Sequence, residues 1–257
     1  DIMSLFDHEA RQFKFDVLRE VSKRSFEGKL NEDTCDEVAN LLIPGKRADF
    51  RCCIYKEKEI IRQRTRMAMG KPPVPVEHEN KRQIVRVIDA ACDGCSIHKI
   101  QVTDNCRKCM AKACLSACKF DAIHMGNDHA FIDYDKCKEC GACKNACPFN
   151  AIVETQRPCM KSCPVDAISM GESGLAEIDE EKCINCGACQ AKCPFGAIED
   201  MSWMVDVIEE LKKGTEMYAI FAPAMQGQFD NATLPQVMEG IRQLGFRDVY
   251  EAAIGAD

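Results

Sequence analysis

The order of polar and apolar positions divides the chain into three stretches. In the first, Asn31 and the acidic pair Glu32 and Asp33 precede an apolar run that ends at Leu42–Ile43, where Pro44-Gly45 stops it. This predicts a helix capped by Asn31 with acidic residues in its first turn. A second helix is predicted from Glu57 to Met69, ending at Gly70 ahead of the linker Pro72-Pro73-Val74-Pro75. The segment Ile84 to Ala91 follows, and residues 1–91 read as mostly helical. Helical periodicity returns only after residue 200. Ser202 to Lys213 is amphipathic and closed by Gly214, and Tyr218 to Ala222 reads as a buried strand. Thr233 caps a helix from Leu234 to Leu244, closed by Gly245, and Phe246 to Ile254 holds a second strand. Strand, helix and strand make a parallel β-α-β unit. Two strands and one crossover cannot cover their own faces. Residues 201–257 are therefore expected to be the incomplete start of a larger α/β domain.

The middle stretch, residues 92–200, has neither period but repeats itself. Ala130–Ile152 aligned with Ala176–Ile198 gives 14 identities in 23 positions. Each copy opens on a short predicted strand, Phe131-Ile132-Asp133 or Glu177-Ile178-Asp179, and closes on Cys-Pro-Phe-x-Ala-Ile. Two further units close alike, at Cys118-Lys119-Phe120-Asp121-Ala122-Ile123 and Cys163-Pro164-Val165-Asp166-Ala167-Ile168. Four half-units make two modules in tandem.

Sixteen of the 19 cysteines lie in this stretch. Cys137-x2-Cys140-x2-Cys143-x3-Cys147-Pro148 recurs as Cys183-x2-Cys186-x2-Cys189-x3-Cys193-Pro194. This spacing points three sulfurs at one [4Fe–4S] cube and sends the fourth to a sister cube. Gly141 and Gly187 serve either close backbone approach to the sulfurs or a plain turn. Sixteen thiolates are the complement of four clusters. The first set is Cys106, Cys109, Cys114 and Cys147, and the second is Cys118, Cys137, Cys140 and Cys143. The third is Cys163, Cys183, Cys186 and Cys189. The remaining half-unit keeps Cys159 and Cys193 but has Val153 and Gln156 where its first two cysteines are expected. The outlying pair Cys92 and Cys95 fills that gap and closes the fourth set. Spacing alone leaves a rival open, with Cys92, Cys95, Cys106 and Cys109 in one site and Cys114, Cys147, Cys159 and Cys193 in another. It also leaves open zinc or a [2Fe–2S] centre at Cys92/Cys95. With the thiolate count complete, His98, His124 and His129 are read as non-ligands. Lys119 replaces the proline of the other half-units, and a cation there would raise its cluster's potential. Cys35, Cys52 and Cys53 are read as small buried residues. The run Arg62, Arg64, Arg66 is either a docking patch for an acidic redox partner or a solvated helix face.

Charge narrows the partners. The net charge is −7, with 18 Lys and Arg against 16 Asp and Glu through residue 91, and 16 against 25 thereafter. An anionic cluster region argues against nucleic-acid binding. Asp1 to Arg11 is charged and lacks an export cleavage site, and the apolar stretch Met217 to Met225 is too short to span a bilayer. A cytoplasmic location, with no membrane contact, keeps the thiols reduced for metal. The expected fold class is thus α+β: a helical N-terminal region, two tandem ferredoxin-like 2[4Fe–4S] modules, then the opening of an α/β domain.

These modules followed by Phe221-Ala222-Pro223-Ala224 and Leu244-Gly245-Phe246-x-x-Val249-Tyr250-Glu251-x-x-x-Gly255-Ala256-Asp257 resemble [FeFe]-hydrogenases of anaerobes. Arg51-Cys52-Cys53-Ile54-Tyr55-Lys56-Glu57 and the Cys92/Cys95 entry are similar to the monomeric group B branch. The resemblance implies an intact enzyme that interconverts protons and H2 with electrons from a soluble ferredoxin. Its H-cluster would lie beyond Asp257, since no cysteine follows Cys193 and no catalytic residue falls within these 257 positions. The alternatives are a stand-alone polyferredoxin carrier and a hydrogenase-like sensor.

Overall fold

The computed structural model describes residues 9–76, 82–93, 95, 98–225, 227–229 and 232–255. The chain opens with three helices, α1 (Glu9–Phe26), α2 (Thr34–Leu42) and α3 (Ile54–Ala68). The α2 start lies three residues beyond the predicted cap. The Thr34 hydroxyl donates to Asn31 Oδ1 (3.1 Å) and accepts from the Asn31 N–H (2.9 Å), so Asn31 forms a turn outside the helix, and the first-turn acids are Asp36 and Glu37. Helix α3 starts three residues earlier than predicted and stops at Gly70, whose φ of 74° suits glycine.

The cysteine-rich stretch then alternates three-residue strands with five-residue helices. In order these are β1 (Val85–Val87), β2 (Ile100–Val102), α4 (Ala113–Ala117), β3 (Ile123–Met125), β4 (Ala130–Ile132), α5 (Ala142–Ala146) and β5 (Ile152–Glu154). There follow α6 (Pro158–Ser162), β6 (Ile168–Met170), β7 (Ala176–Ile178), α7 (Ala188–Lys192) and β8 (Ile198–Asp200). The chain continues through α8 (Met204–Lys212), β9 (Tyr218–Phe221), α9 (Leu234–Gln243) and β10 (Asp248–Glu251).

All strand pairs within residues 85–200 are antiparallel, and their register shows how the modules are threaded. Module one pairs β2 with β5 and β3 with β4; module two pairs β6 with β7 and closes β8 on β1, with Val85 opposite Asp200 and Val87 opposite Ile198. Strand β1 precedes all of module one. The modules are therefore nested rather than simply tandem: module one is inserted into module two. Matching contacts hold the two outer strands. Glu139 Oε1 accepts the Lys99 N–H beside β2 (2.8 Å), and at the equivalent place Asn185 Oδ1 accepts the Ile84 and Val85 N–H groups at β1 (3.1 and 3.3 Å). The ends of the insertion meet, since the Thr155 N–H donates to Lys99 O at 2.7 Å.

Residues 1–76 and 201–257 together form one compact unit, and residues 77–200 the other. In the first unit Val17 and Val21 of α1, Val38 and Ala39 of α2, Ile61 and Ala68 of α3, and Val205 of α8 share a core. Val17 and Val21 are four apart and Ile61 and Ala68 seven, spacings that return to one helix face. The Lys212 ammonium donates to Ser25 O (2.8 Å), tying the end of α8 to α1. Glu57 is fully buried, and its Oε1 accepts the N–H groups of Asp49, Phe50 and Arg51 at 2.7, 2.6 and 2.8 Å. Glu57→Ala strands three backbone donors; a loss of about 3 kcal/mol in urea unfolding is expected.

The basic run on α3 is not a free docking patch. Arg64 is buried, Arg62 pairs with Asp36 and Glu59, and Arg66 donates to Pro72 O. The C-terminal strands β9 and β10 run parallel, as expected, and the Thr233 N–H donates to Gln236 Oε1 (2.8 Å) in a capping box ahead of α9. Strand β9 is not buried as expected: Phe221 faces inward, while Tyr218 and Ile220 are exposed. Ala256 and Asp257, the last residues of the hydrogenase-like stretch, lie outside the described residues.

Candidate iron–sulfur sites

Each half-unit is built the same way. The five-residue helices carry the third cysteine, Cys114, Cys143, Cys159 or Cys189, at their second position, and all four are buried. The fourth cysteine, Cys118, Cys147, Cys163 or Cys193, is the C-cap, with extended backbone (ψ 107° to 116°). Leaving helical geometry there turns the fourth sulfur away from the third, so one helix serves two sites. Three residues on, Asp121, Asn150, Asp166 and Gly196 are all left-handed (φ 49° to 56°). Asp, Asn and Gly are the residues that tolerate this region. The turn aims the next N–H back at the fourth sulfur: Ala122 to Cys118 Sγ (3.4 Å), Ala167 to Cys163 Sγ (3.2 Å) and Ala197 to Cys193 Sγ (3.3 Å). This explains the recurring Asp/Asn/Gly-Ala-Ile, a signal that spacing arguments overlooked. Gly141 and Gly187 have φ of 75° and 73°, and a Cβ on Gly141 would meet nothing within 4 Å. Turn conformation, rather than crowding by the chain, is what calls for glycine.

The cysteines gather as follows. Cys118, Cys137, Cys140 and Cys143 line one small cavity, walled by Ile100, Ile123 and Ile132. Cys163, Cys183, Cys186 and Cys189 line its counterpart, against Val85, Ile168 and Ile178. The Cys95 and Cys159 thiols each feel the charge of Cys193 and Cys92, which places these four in one neighbourhood. Cys114 likewise feels Cys147 and Cys106.

Nesting explains the half-unit that looked broken. Cys92-x2-Cys95 follows β1 as Cys106-x2-Cys109 follows β2. The Ala176 N–H donates to Cys92 Sγ (3.3 Å), as that of Ala130, its repeat partner, does to Cys106 Sγ (3.4 Å). Cys92 and Cys95 thus occupy the ordinary first positions of module two, separated from Cys159 by the inserted module.

Among the described residues no three His, Cys, Asp or Glu side chains are arranged to hold a single metal ion; two of the cysteine sets ring apolar cavities instead. All-thiol donor sets with backbone N–H groups on the sulfurs suit iron–sulfur clusters. His98 stacks on Tyr134 (3.6 Å between centroids), His124 packs on Phe131, and His129 is exposed. Lys119 is exposed, so water screens its charge. Cys52 is exposed rather than buried, with its Sγ 4.0 Å from that of Cys53. The Lys56 backbone N–H, foremost, lowers the Cys53 pKa, whereas burial raises that of Cys35.

Sequence comparison identifies the same region. A model of the LdpA Fe-S cluster-binding domain matches residues 153–204, and one of the 4Fe-4S binding domain matches residues 130–153. A ferredoxin of Alicyclobacillus acidocaldarius subsp. acidocaldarius is 42% identical over 55 residues, which are 21% of this chain and 70% of that protein. The chain belongs to the ferredoxin family. A "Ferredoxin 7Fe" of Hydrogenibacillus schlegelii is 41% identical over 51 residues, covering 20% of this chain and 65% of the relative. Ferredoxin-1 of Caulobacter vibrioides is 37% identical over 51 residues, 45% of its length. The ferredoxin region transfers electrons through iron–sulfur chemistry, and among the described residues no helix is long and apolar enough to cross a membrane.

Burial raises the thiol pKa of Cys95, Cys114, Cys143 and Cys159, and that of Cys189 to about 11 from an ordinary 9.0. Folded apo-ferredoxin thus holds these protons more tightly than the unfolded chain. For Cys189 that contribution is complete below pH 9 and is lost as pH rises towards about 11. Urea midpoints of the apo-protein should fall over this window. Those of the loaded protein, whose thiols are already deprotonated by iron, should not.

Proposed function

We propose that the chain is an electron relay holding four [4Fe–4S] clusters, one on each cysteine set: Cys106, Cys109, Cys114, Cys147; Cys118, Cys137, Cys140, Cys143; Cys163, Cys183, Cys186, Cys189; and Cys92, Cys95, Cys159, Cys193. The observation that carries this reading is the pair of matching four-thiol cavities in the two aligned sequence repeats. When bound, each cluster supplies a one-electron couple. The protein's own residues hold it with thiolates, donate backbone N–H groups to sulfur and exclude water with isoleucine and valine walls. Iron and acid-labile sulfide analysis of the anaerobically purified protein tests the count. About sixteen of each per chain is expected for four cubanes, and two clusters or fewer would sink it.

The relay is further proposed to feed a hydrogenase-type catalytic domain that begins with β9, α9 and β10, with soluble ferredoxin as the electron partner and H2 and protons as substrates of the intact cytoplasmic enzyme. Ile220 is 72% exposed on β9, and Tyr218 and Tyr250 are also exposed, an apolar strand face that a larger sheet domain would cover. H2 evolution with reduced ferredoxin, assayed on the matured full-length protein, tests this. Electron transfer without H2 chemistry would favour the stand-alone carrier, and a response to H2 without turnover the sensor.

A further inference from the structure

Module two differs from module one at the point where the chain returns from its insertion. Three half-units enter their short helix through a left-handed residue, Lys112, Gly141 or Gly187. The fourth enters through Arg157, at φ −58° and ψ 132°, directly ahead of Pro158. A residue before proline is pushed out of helical space into this extended region. The change of backbone carries a change of side-chain environment. Lys112, at the matching place in module one, is exposed, whereas Arg157 is only 7% exposed.

The Arg157 guanidinium reaches across the insertion point. Nη1 donates to Cys92 Sγ (3.9 Å), and Nη2 donates to Cys95 O (3.5 Å) and Gly174 O (2.8 Å). Cys92 Sγ also accepts the Ala176 N–H (3.3 Å). The other hydrogen bonds to cysteine sulfur described above come from backbone N–H groups, which are neutral dipoles. Arg157 brings a full charge, which burial protects from salt.

We infer that Arg157 sets the reduction potential of the cluster on Cys92, Cys95, Cys159 and Cys193 above those of the other three, making it the centre on which an electron comes to rest. This rests on the four-cluster reading. One electron enters, the cube with its thiolates passes from a charge of about −2 to about −3, and no proton is transferred. A fixed cation against a ligand sulfur favours the more negative state, and cluster potentials follow local charge and hydrogen bonds to sulfur. Arg157 acts through the thiolate and is thus a tuning residue, not a catalytic one.

The test is a dithionite-poised redox titration followed by EPR on the anaerobically loaded full chain, preceded by iron and sulfide analysis. Wild-type protein with two clusters or fewer defeats the four-cluster reading before any substitution is made, and this inference with it. With four clusters in place, Arg157→Gln should lower one midpoint potential and leave three unchanged. At least a tenfold change in that centre's one-electron equilibrium is expected, about 59 mV. Arg157→Lys keeps the charge without the guanidinium fork and should restore the greater part of the shift. Full iron with four unmoved potentials in the Gln variant overturns the inference. So does equal loss of the cluster in both variants, which would make Arg157 a clamp on the Cys95 and Gly174 carbonyls and nothing more. Should the Gln variant alone shed the cluster, the wild-type titration decides: the midpoint that Cys92→Ser removes standing above the other three upholds the inference, and that midpoint lying among or below them refutes it.

Discussion

Cys143→Ala is expected to remove about four irons and four sulfides per chain and to disturb a second cluster as well. Cys143 is buried in the cavity it shares with Cys118, Cys137 and Cys140, and it lies on α5, whose C-cap is Cys147. A helix of five residues has no stability of its own, so what holds α5 must be packing and ligation. The apolar core around it is thin, mainly Ile100, Ile123, Ile132 and Ile152. Losing one ligand therefore loosens the helix that presents Cys147 to the neighbouring site. EPR should show one signal gone and a second shifted, with module two's signals untouched. Cys35→Ala, which alters a cysteine outside the cavities, should leave iron at the wild-type level. Equal iron content in the two variants would exclude Cys143 as a ligand.

Much of this site was legible because its rules are local. Three cysteines within seven residues, with a fourth four residues on, specify loop, helix and cap together, and the repeat exposes the pattern twice. What stayed hidden was long-range. Val85–Val87 pairs with Ile198–Asp200 across more than a hundred residues, and three-residue strands carry no periodic signal that would announce it. The missing cysteines of the fourth half-unit therefore read as a defect, although Cys92 follows β1 and accepts the Ala176 N–H as Cys106 accepts that of Ala130. The same blindness affected charge. Lys119 stands out in the sequence because it replaces a proline, but it is exposed; no local pattern marks Arg157, the buried cation beside Cys92. Burial depends on what packs around a side chain, which one residue's neighbours in sequence do not reveal. The first unit taught the same lesson, since the core joins α1 to α8 from opposite ends of the chain.

Excising module one should leave module two able to fold and to hold its two clusters. A chain in which residues 99–155 are replaced by a short glycine linker should retain about eight irons and eight sulfides, half of the full complement. The geometry favours closure, because Thr155 N–H and Lys99 O are 2.7 Å apart and the cut ends emerge side by side. Domains inserted at such points are removed with little cost to the host, since a short loop closes the gap at a small entropic price. Everything that defines module two lies outside the excised segment: the β1–β8 pair, Asn185 on the Ile84 and Val85 N–H groups, and Arg157 on the Cys95 carbonyl. The reciprocal change has the opposite outcome. Cys92→Ser with Cys95→Ser should abolish one module-two cluster and leave module one's pair intact, because Cys159 and Cys193 alone offer two thiolates where four are needed. If the excised chain instead held only about four irons while the doubly substituted chain lost a module-one signal, Cys92 and Cys95 would belong with Cys106 and Cys109. The modules would then follow one another in simple series.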